Sequence, residues 1–175
     1  MTDTKGMQLF DKVTRNRIFN SIYWKDECFA LDAESLIDKA IKIKYVGGLY
    51  SGAKKPTKFL CLVFKMLQMN LPKEIVLEYL KAREYKYLTA MCLMYLRLTT
   101  KGAETYELLE PFYNDNRKLR IRDSIGSFDI IYIDEFADKL LVDEVFLGIN
   151  LPFLQKRIVL EEQGTLEIRI SMIEA

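Results

Sequence analysis

No histidine occurs among the 175 residues. That removes the commonest general base and the commonest transition-metal ligand, so histidine-dependent hydrolysis and His-based metal sites are excluded at the outset. Cysteine is scarce: Cys28, Cys61 and Cys92 lie about thirty residues apart, each among apolar neighbours. Zinc sites need close ligand pairs and disulfide scaffolds need a denser set, so three buried free thiols in a reducing compartment are expected. Long hydrophobic runs are missing too, since the longest charge-free stretch, 145–155, is far below the ~18 residues of a membrane span. Nor is there an excess of charge, because 26 basic residues meet 25 acidic ones. A global field toward nucleic acid or a membrane surface is therefore absent, and any attraction must come from a local patch. The N-terminus has no basic-then-apolar signal peptide.

What is abundant is apolar and aromatic side chain, 50% and 12% of the residues. A chain of this length can bury roughly 70% of its unfolded surface, enough for one domain. Residues 1–8 are polar and expected to be flexible, with one helical domain over 9–175. Helical spacing runs through Val13, Ile18 and Ile22, and Asp32 can cap a helix over 33–43. Gly47, Gly48 and Gly52 break the pattern, and Pro56 suits the first turn of the next helix. Segments 57–69 and 85–98 are apolar nearly all round, which predicts two central helices with every face covered. Pro72 opens a helix to about 83, and Pro111 should end one that begins near 103.

After Asn116 the period changes. Residues 117–122 alternate, 123–127 contain Gly126, and 128–133 are β-branched and aromatic, which predicts a β-hairpin over about 117–133. Asp134 can cap a helix to about 142, and Asn150 with Pro152 suggests another to about 163. The fold expected is mostly α: a single globular helical domain with one small β-hairpin.

No catalytic template is found. Gly47 to Gly52 lacks the lysine and hydroxyl of a phosphate-binding loop, and no GxSxG elbow is present. Glu104, Glu107 and Glu110, and Asp134, Glu135 and Asp138, read as helix-dipole or solvated-face charges rather than a metal or acid–base pair. No catalytic residue, metal site or cofactor is expected. Two binding features remain. The aromatic surplus between 106 and 136 suggests a partner surface built from Tyr106, Phe112, Tyr113, Phe128, Tyr132 and Phe136. Alternatively, Lys118, Arg120 and Arg122, with Arg117 adjacent, place positive charge on one face of the hairpin, where RNA phosphates could be met.

Six phrases then carry a resemblance. IYWKDECFAL (22–31), VGGLYSG followed by KPTKFLCLVFKMLQ (46–68), EYKYLTAMCLMYLRLT (84–99), ELLEPFYNDNRKLR (107–120), YIDEFADKLL (132–141) and LPFLQKRIVLEE (151–162) are similar, in order, to the pre-mRNA-splicing factor 38 family. The resemblance implies an all-helical domain with a small hairpin in a nuclear, non-enzymatic protein. Such a protein joins the spliceosome with the tri-snRNP and supports activation of the precatalytic complex. It also implies docking of spliceosomal proteins, including a matrin-type zinc-finger protein and the microfibrillar-associated splicing protein. A monomer is expected, with RNA nearby as the basic hairpin face suggests. Asn116 stands where relatives tend to have an aromatic residue, and Tyr132 where histidine is common. The chain stops at Ala175 without the Arg/Ser-rich tail of many relatives, which leaves the folded module whole.

Overall fold

A computed structural model of the chain describes residues 5–169. At its centre lie α3 (Lys58–Met69) and α5 (Lys86–Thr99), packed against each other. The Thr57 hydroxyl starts α3 by accepting from the Leu60 N–H at 3.1 Å while donating to the Gly47 carbonyl at 2.6 Å. Such a cap contributes about 1 kcal/mol. Asn70 ends the helix in the left-handed region at φ 50°. From Phe59 to Leu67 every α3 side chain is buried, as is every α5 side chain from Leu88 to Leu98. Both all-round apolar segments thus behave as expected.

Shorter helices cover these two. Asp11 caps α1 (Lys12–Phe19), accepting from the Thr14 N–H at 2.6 Å. Asp32 and Ser35 form a capping box on α2 (Ala33–Ala40), as the sequence suggests. A π-helix, Trp24–Cys28, lies between them and swings Trp24 inward. There Phe64 of α3 meets Phe10, Phe19 and Trp24, each with ring centroids 5.4 Å away. Pro72 precedes α4 (Lys73–Lys81), which packs on α5, and Tyr95 of α5 donates to the Leu71 carbonyl at 2.8 Å. Helix α6 (Ala103–Leu109) passes into a 3-10 helix, Glu110–Asn114, at Pro111.

The hairpin forms where expected: β4 (Lys118–Arg122) pairs antiparallel with β5 (Phe128–Tyr132). It is not the sole β-structure. A parallel strand β1 (Val46–Gly47) adds to β4, and β2 (Leu49–Tyr50) pairs with β3 (Lys55–Pro56). The glycines serve close approach here. An added Cβ would lie 2.9 Å from the Arg122 carbonyl oxygen at Gly47, and 2.0 Å from that of Leu147 at Gly48. Pro56 therefore ends a strand rather than opening α3.

Three further expectations change. Helix α7 (Ile133–Val142) starts at Tyr132 rather than Asp134, and the Glu135 carboxylate accepts from the Tyr132 N–H at 3.3 Å. The helix expected from Asn150 is α8 (Arg157–Glu162) only. Its apolar lead-in forms a further hairpin, β6 (Val145–Phe146) with β7 (Ile149–Asn150), around Leu147 and Gly148. Both turn residues have positive φ, 53° and 74°, as a type I′ turn requires. Within the stretch expected to be flexible, Lys5–Leu9 is a 3-10 helix that packs on α3 and buries Met7. Residues 1–4 and 170–175 lie outside the described residues.

Candidate functional site

Antiparallel register places Lys118 opposite Tyr132, Arg120 opposite Ile130 and Arg122 opposite Phe128. Because paired residues share a face, the basic row and an apolar row lie side by side on the outer surface of the hairpin. Leu119 and Ile131 point inward and are buried. The four cations proposed from sequence then part company. Lys118 and Arg120 are exposed. Arg122 is caged: its guanidinium lies 3.9 Å from the Tyr50 ring centroid, 4.9 Å from Phe128 and 5.6 Å from Tyr45, and it donates to the Gly126 carbonyl at 3.1 Å.

Arg117 is turned inward and is not available to RNA. Its Nε and Nη2 grip the Asp115 carboxylate at 2.7–3.1 Å, Nη2 also donates to Thr89 Oγ1 at 3.2 Å, and Nη1 donates to the Arg83 carbonyl. Burial works against ionisation of Asp115. The Arg117 side chain and backbone N–H, with the Arg83 charge, outweigh it and hold the carboxyl below its usual value.

The aromatic residues also divide. Phe136 is fully buried, edge-on to Phe59 and Phe146, and belongs to the core. Tyr106 is 5% exposed, with its hydroxyl donating to the Gln155 carbonyl at 2.7 Å, so it anchors the 150–156 segment instead of facing a partner. Phe112 and Tyr113 are half-buried on the 3-10 helix beside α7. Tyr113 donates to Asp138 at 2.7 Å, and burial followed by that carboxylate raises its pKa. Phe128, 49% exposed, and half-buried Tyr132 are the two that reach the outer hairpin face. The six residues thus do not form one surface.

Two concave surfaces replace it. The first is a shallow open groove of about 410 Å³, where Lys44 and Lys86 join Lys118 and Arg120 around Tyr87 and Ile130. Tyr87 fixes the groove: its hydroxyl donates to the Lys44 carbonyl and accepts from the Arg120 N–H, both at 3.0 Å. The second is a deeper cleft of about 710 Å³ that the sequence reading missed. Val13, Leu49, Ile121, Phe146 and Leu147 supply apolar lining, and Arg17, Lys54, Arg122 and Lys139 supply charge. Its residues come from α1, β2, the β4 end, α7 and the 147–148 turn, so no local pattern announces it. Val13, expected from its helical spacing to share a stripe with Ile18, is instead 64% exposed on the wall of this cleft.

Reactive chemistry is sparse. All three thiols are free and buried, and desolvation pushes Cys28 and Cys61 up to about 12 and Cys92 higher still. Glu104 pairs with Lys73 at 2.8 Å, and Glu110 with Arg157 at 2.7 Å, so both act as struts. Among the described residues no group of histidine, cysteine, aspartate or glutamate is placed to hold a metal ion.

A model of the PRP38 family matches residues 1–164. The chain belongs to the PRP38 family. Pre-mRNA-splicing factor 38 of Drosophila melanogaster is 47% identical over 171 residues, covering 98% of this chain and 52% of its own length. Pre-mRNA-splicing factor 38A of Homo sapiens is 46% identical over 171 residues, covering 98% of this chain and 55% of its own. This PRP38-family chain thus spans about half the length of the curated relatives it matches. A chain in the crystal structure of the Snu23-Prp38-MFAP1(217-258) complex of Chaetomium thermophilum superposes with a TM-score of 0.92 at 36% identity, covering 98% of this chain and 90% of that one. The PRP38-family fold is therefore mostly α, with more β-structure than a lone hairpin.

Proposed function

We propose that this chain is a non-enzymatic docking module of the spliceosome that acts in the nucleus by seating protein partners on a pre-formed helical body. The observation that carries the reading is its close likeness to a chain solved within the Snu23-Prp38-MFAP1(217-258) complex. Snu23 and MFAP1, of the zinc-finger and microfibrillar-associated types expected from sequence, are the partners proposed. Arrival with the tri-snRNP and support of activation in the precatalytic complex are the finer parts of the same proposal.

The cleft between α1 and the 147–148 turn is the seat proposed for one partner segment, apolar on one side and acidic on its flank. Its walls offer the apolar lining, and its charge is positive: Arg17, Lys54, Arg122 and Lys139 face two carboxylates that the chain itself occupies. Asp11 Oδ1 accepts from the Thr14 N–H, and Asp123 Oδ1 from the backbone N–H groups of Ile125, Gly126 and Ser127 at 2.9–3.0 Å. A rigid seat limits the ordering cost to the partner's side.

Titration calorimetry with Snu23 and with MFAP1 tests this. Val13→Asp should weaken one of them at least tenfold while helical content and melting stay unchanged, because Val13 is 64% exposed. Lys54→Glu/Lys139→Glu should weaken the same partner. Full affinity for both partners in both variants would move the seat elsewhere, and failure of the folded wild-type chain to bind either partner would overturn the function.

A further inference from the structure

We infer that the open groove beside the hairpin binds the phosphate backbone of single-stranded RNA. Four cations from three parts of the chain converge there, Lys44 after α2, Lys86 at the start of α5, and Lys118 with Arg120 on β4, and no carboxylate lines it. In a chain of formal net charge +1 that segregation is local. It answers the requirement that attraction come from a patch. Lys118 and Arg120 are two residues apart on a strand, hence roughly 6.5–7 Å. That is close to the step between successive phosphates of an extended polynucleotide.

Shape and neighbours favour RNA over an acidic protein segment. The groove is shallow, and two of its three aliphatic residues, Ile43 and Leu119, are buried, so the apolar side of a helix would find little to cover. A polyanionic strand needs only the charged rim. Phe128 lies on the same hairpin face, half exposed, with the Arg120 guanidinium 5.5 Å from its ring centroid. An exposed ring beside a cationic track is the arrangement on which bases stack without sequence preference. The groove and the partner cleft share none of their lining residues, so the two ligands do not compete for one seat.

Counterion release gives the test its scale. Four phosphate contacts on a single strand correspond to a log–log salt slope of about −2.8, or roughly a 50-fold loss of affinity between 50 and 200 mM salt. Fluorescence anisotropy of a labelled twelve-nucleotide oligouridylate would be measured with the wild-type chain, with Lys86→Glu/Lys118→Glu, and with Lys12→Glu/Lys25→Glu as a charge-matched control on exposed residues outside the groove. The groove pair should abolish binding and the control should leave the slope in place. Lys118→Gln, a milder change, should flatten the slope by about 0.7. Phe128→Ala should lower affinity while leaving the slope unaltered. Equal loss in both double variants, a salt-independent signal, or equally tight binding of a polyglutamate of matched length would overturn the assignment.

Discussion

Asp115→Ala offers the sharpest test of how the hairpin is held. In the folded chain Asp115 accepts three hydrogen bonds from the Arg117 guanidinium and a fourth from the Arg117 backbone N–H at 3.1 Å. Its own carbonyl accepts from the Asp134 N–H at 2.8 Å, and the Arg117 carbonyl from the Ile133 N–H at 3.0 Å. The pair therefore ties together α5 through Thr89, the loop at Arg83, the start of α7 and the base of β4. Removing one member of a buried pair costs about 3–5 kcal/mol. The Asp115 side chain is 7% exposed, but Arg117 is 28% exposed, so water relieves part of the loss. A cost of about 2–3 kcal/mol follows. For a chain of this size that lowers the melting temperature by roughly 5–10 °C.

The acid dependence carries a definite sign. Asp115 titrates below its ordinary value in the folded state, so its contribution is complete above about pH 4 and is lost as pH falls through the depressed folded value. The stability difference between wild type and Asp115→Asn, measured by urea titration, should be full at pH 7 and vanish in strong acid. Arg117→Ala should be at least as costly as Asp115→Ala, yet leave the salt slope of RNA binding unchanged. If either single variant melts within about 2 °C of wild type, or if Arg117→Ala flattens the salt slope while melting normally, the strut argument is wrong.

Gly48→Ala should destabilise by about 1–3 kcal/mol, read as a lower urea midpoint, because the new Cβ would lie 2.0 Å from the Leu147 carbonyl oxygen and a backbone turn must move. The same change should weaken binding of the partner proposed for the adjoining cleft. The cysteines should resist a neutral thiol reagent at pH 8 in the native chain, since desolvation keeps all three protonated, and should all react in denaturant. Rapid native labelling of Cys28 or Cys61 would contradict their burial.

Much of the scaffold was legible because its signals are local. Asp32 caps through a bond that spans three residues, and the buried runs of α3 and α5 are continuous; the Thr57 cap, equally local, was passed over in favour of Pro56. The misplaced functional residues were misread for equally physical reasons. Phe136 sits in the stripe Ile133, Phe136, Ala137, Leu140 and Leu141, whose helical spacing marks a core face; counting aromatics hid that period. Arg117 shares its strand parity with buried Leu119, so the alternation itself directs it inward, toward an aspartate two residues earlier. The helix expected from Asn150 to about 163 shortens to Arg157–Glu162, and Asn150 instead closes a hairpin whose turn holds Leu147 at a positive φ that its sequence neighbours do not advertise. The cleft was beyond reach because it is assembled from five separated segments.

The balance of charge shows how folding creates a field that composition denies. With 26 basic and 25 acidic residues, the chain as a whole steers nothing. Yet the aspartates near the binding surfaces are spent on the chain's own backbone and arginines: Asp11 caps α1, Asp115 holds Arg117, and Asp123 closes the hairpin turn. Lys39, Lys65 and Lys73 have partners of their own in Glu27, Gln68 and Glu104, whereas Lys44 and Lys118 are exposed and line a groove that no carboxylate enters. At physiological ionic strength such a field reaches only about 8 Å. On the function proposed here it would therefore act on a strand already delivered to the surface, with protein docking setting capture and the proposed RNA contact following it.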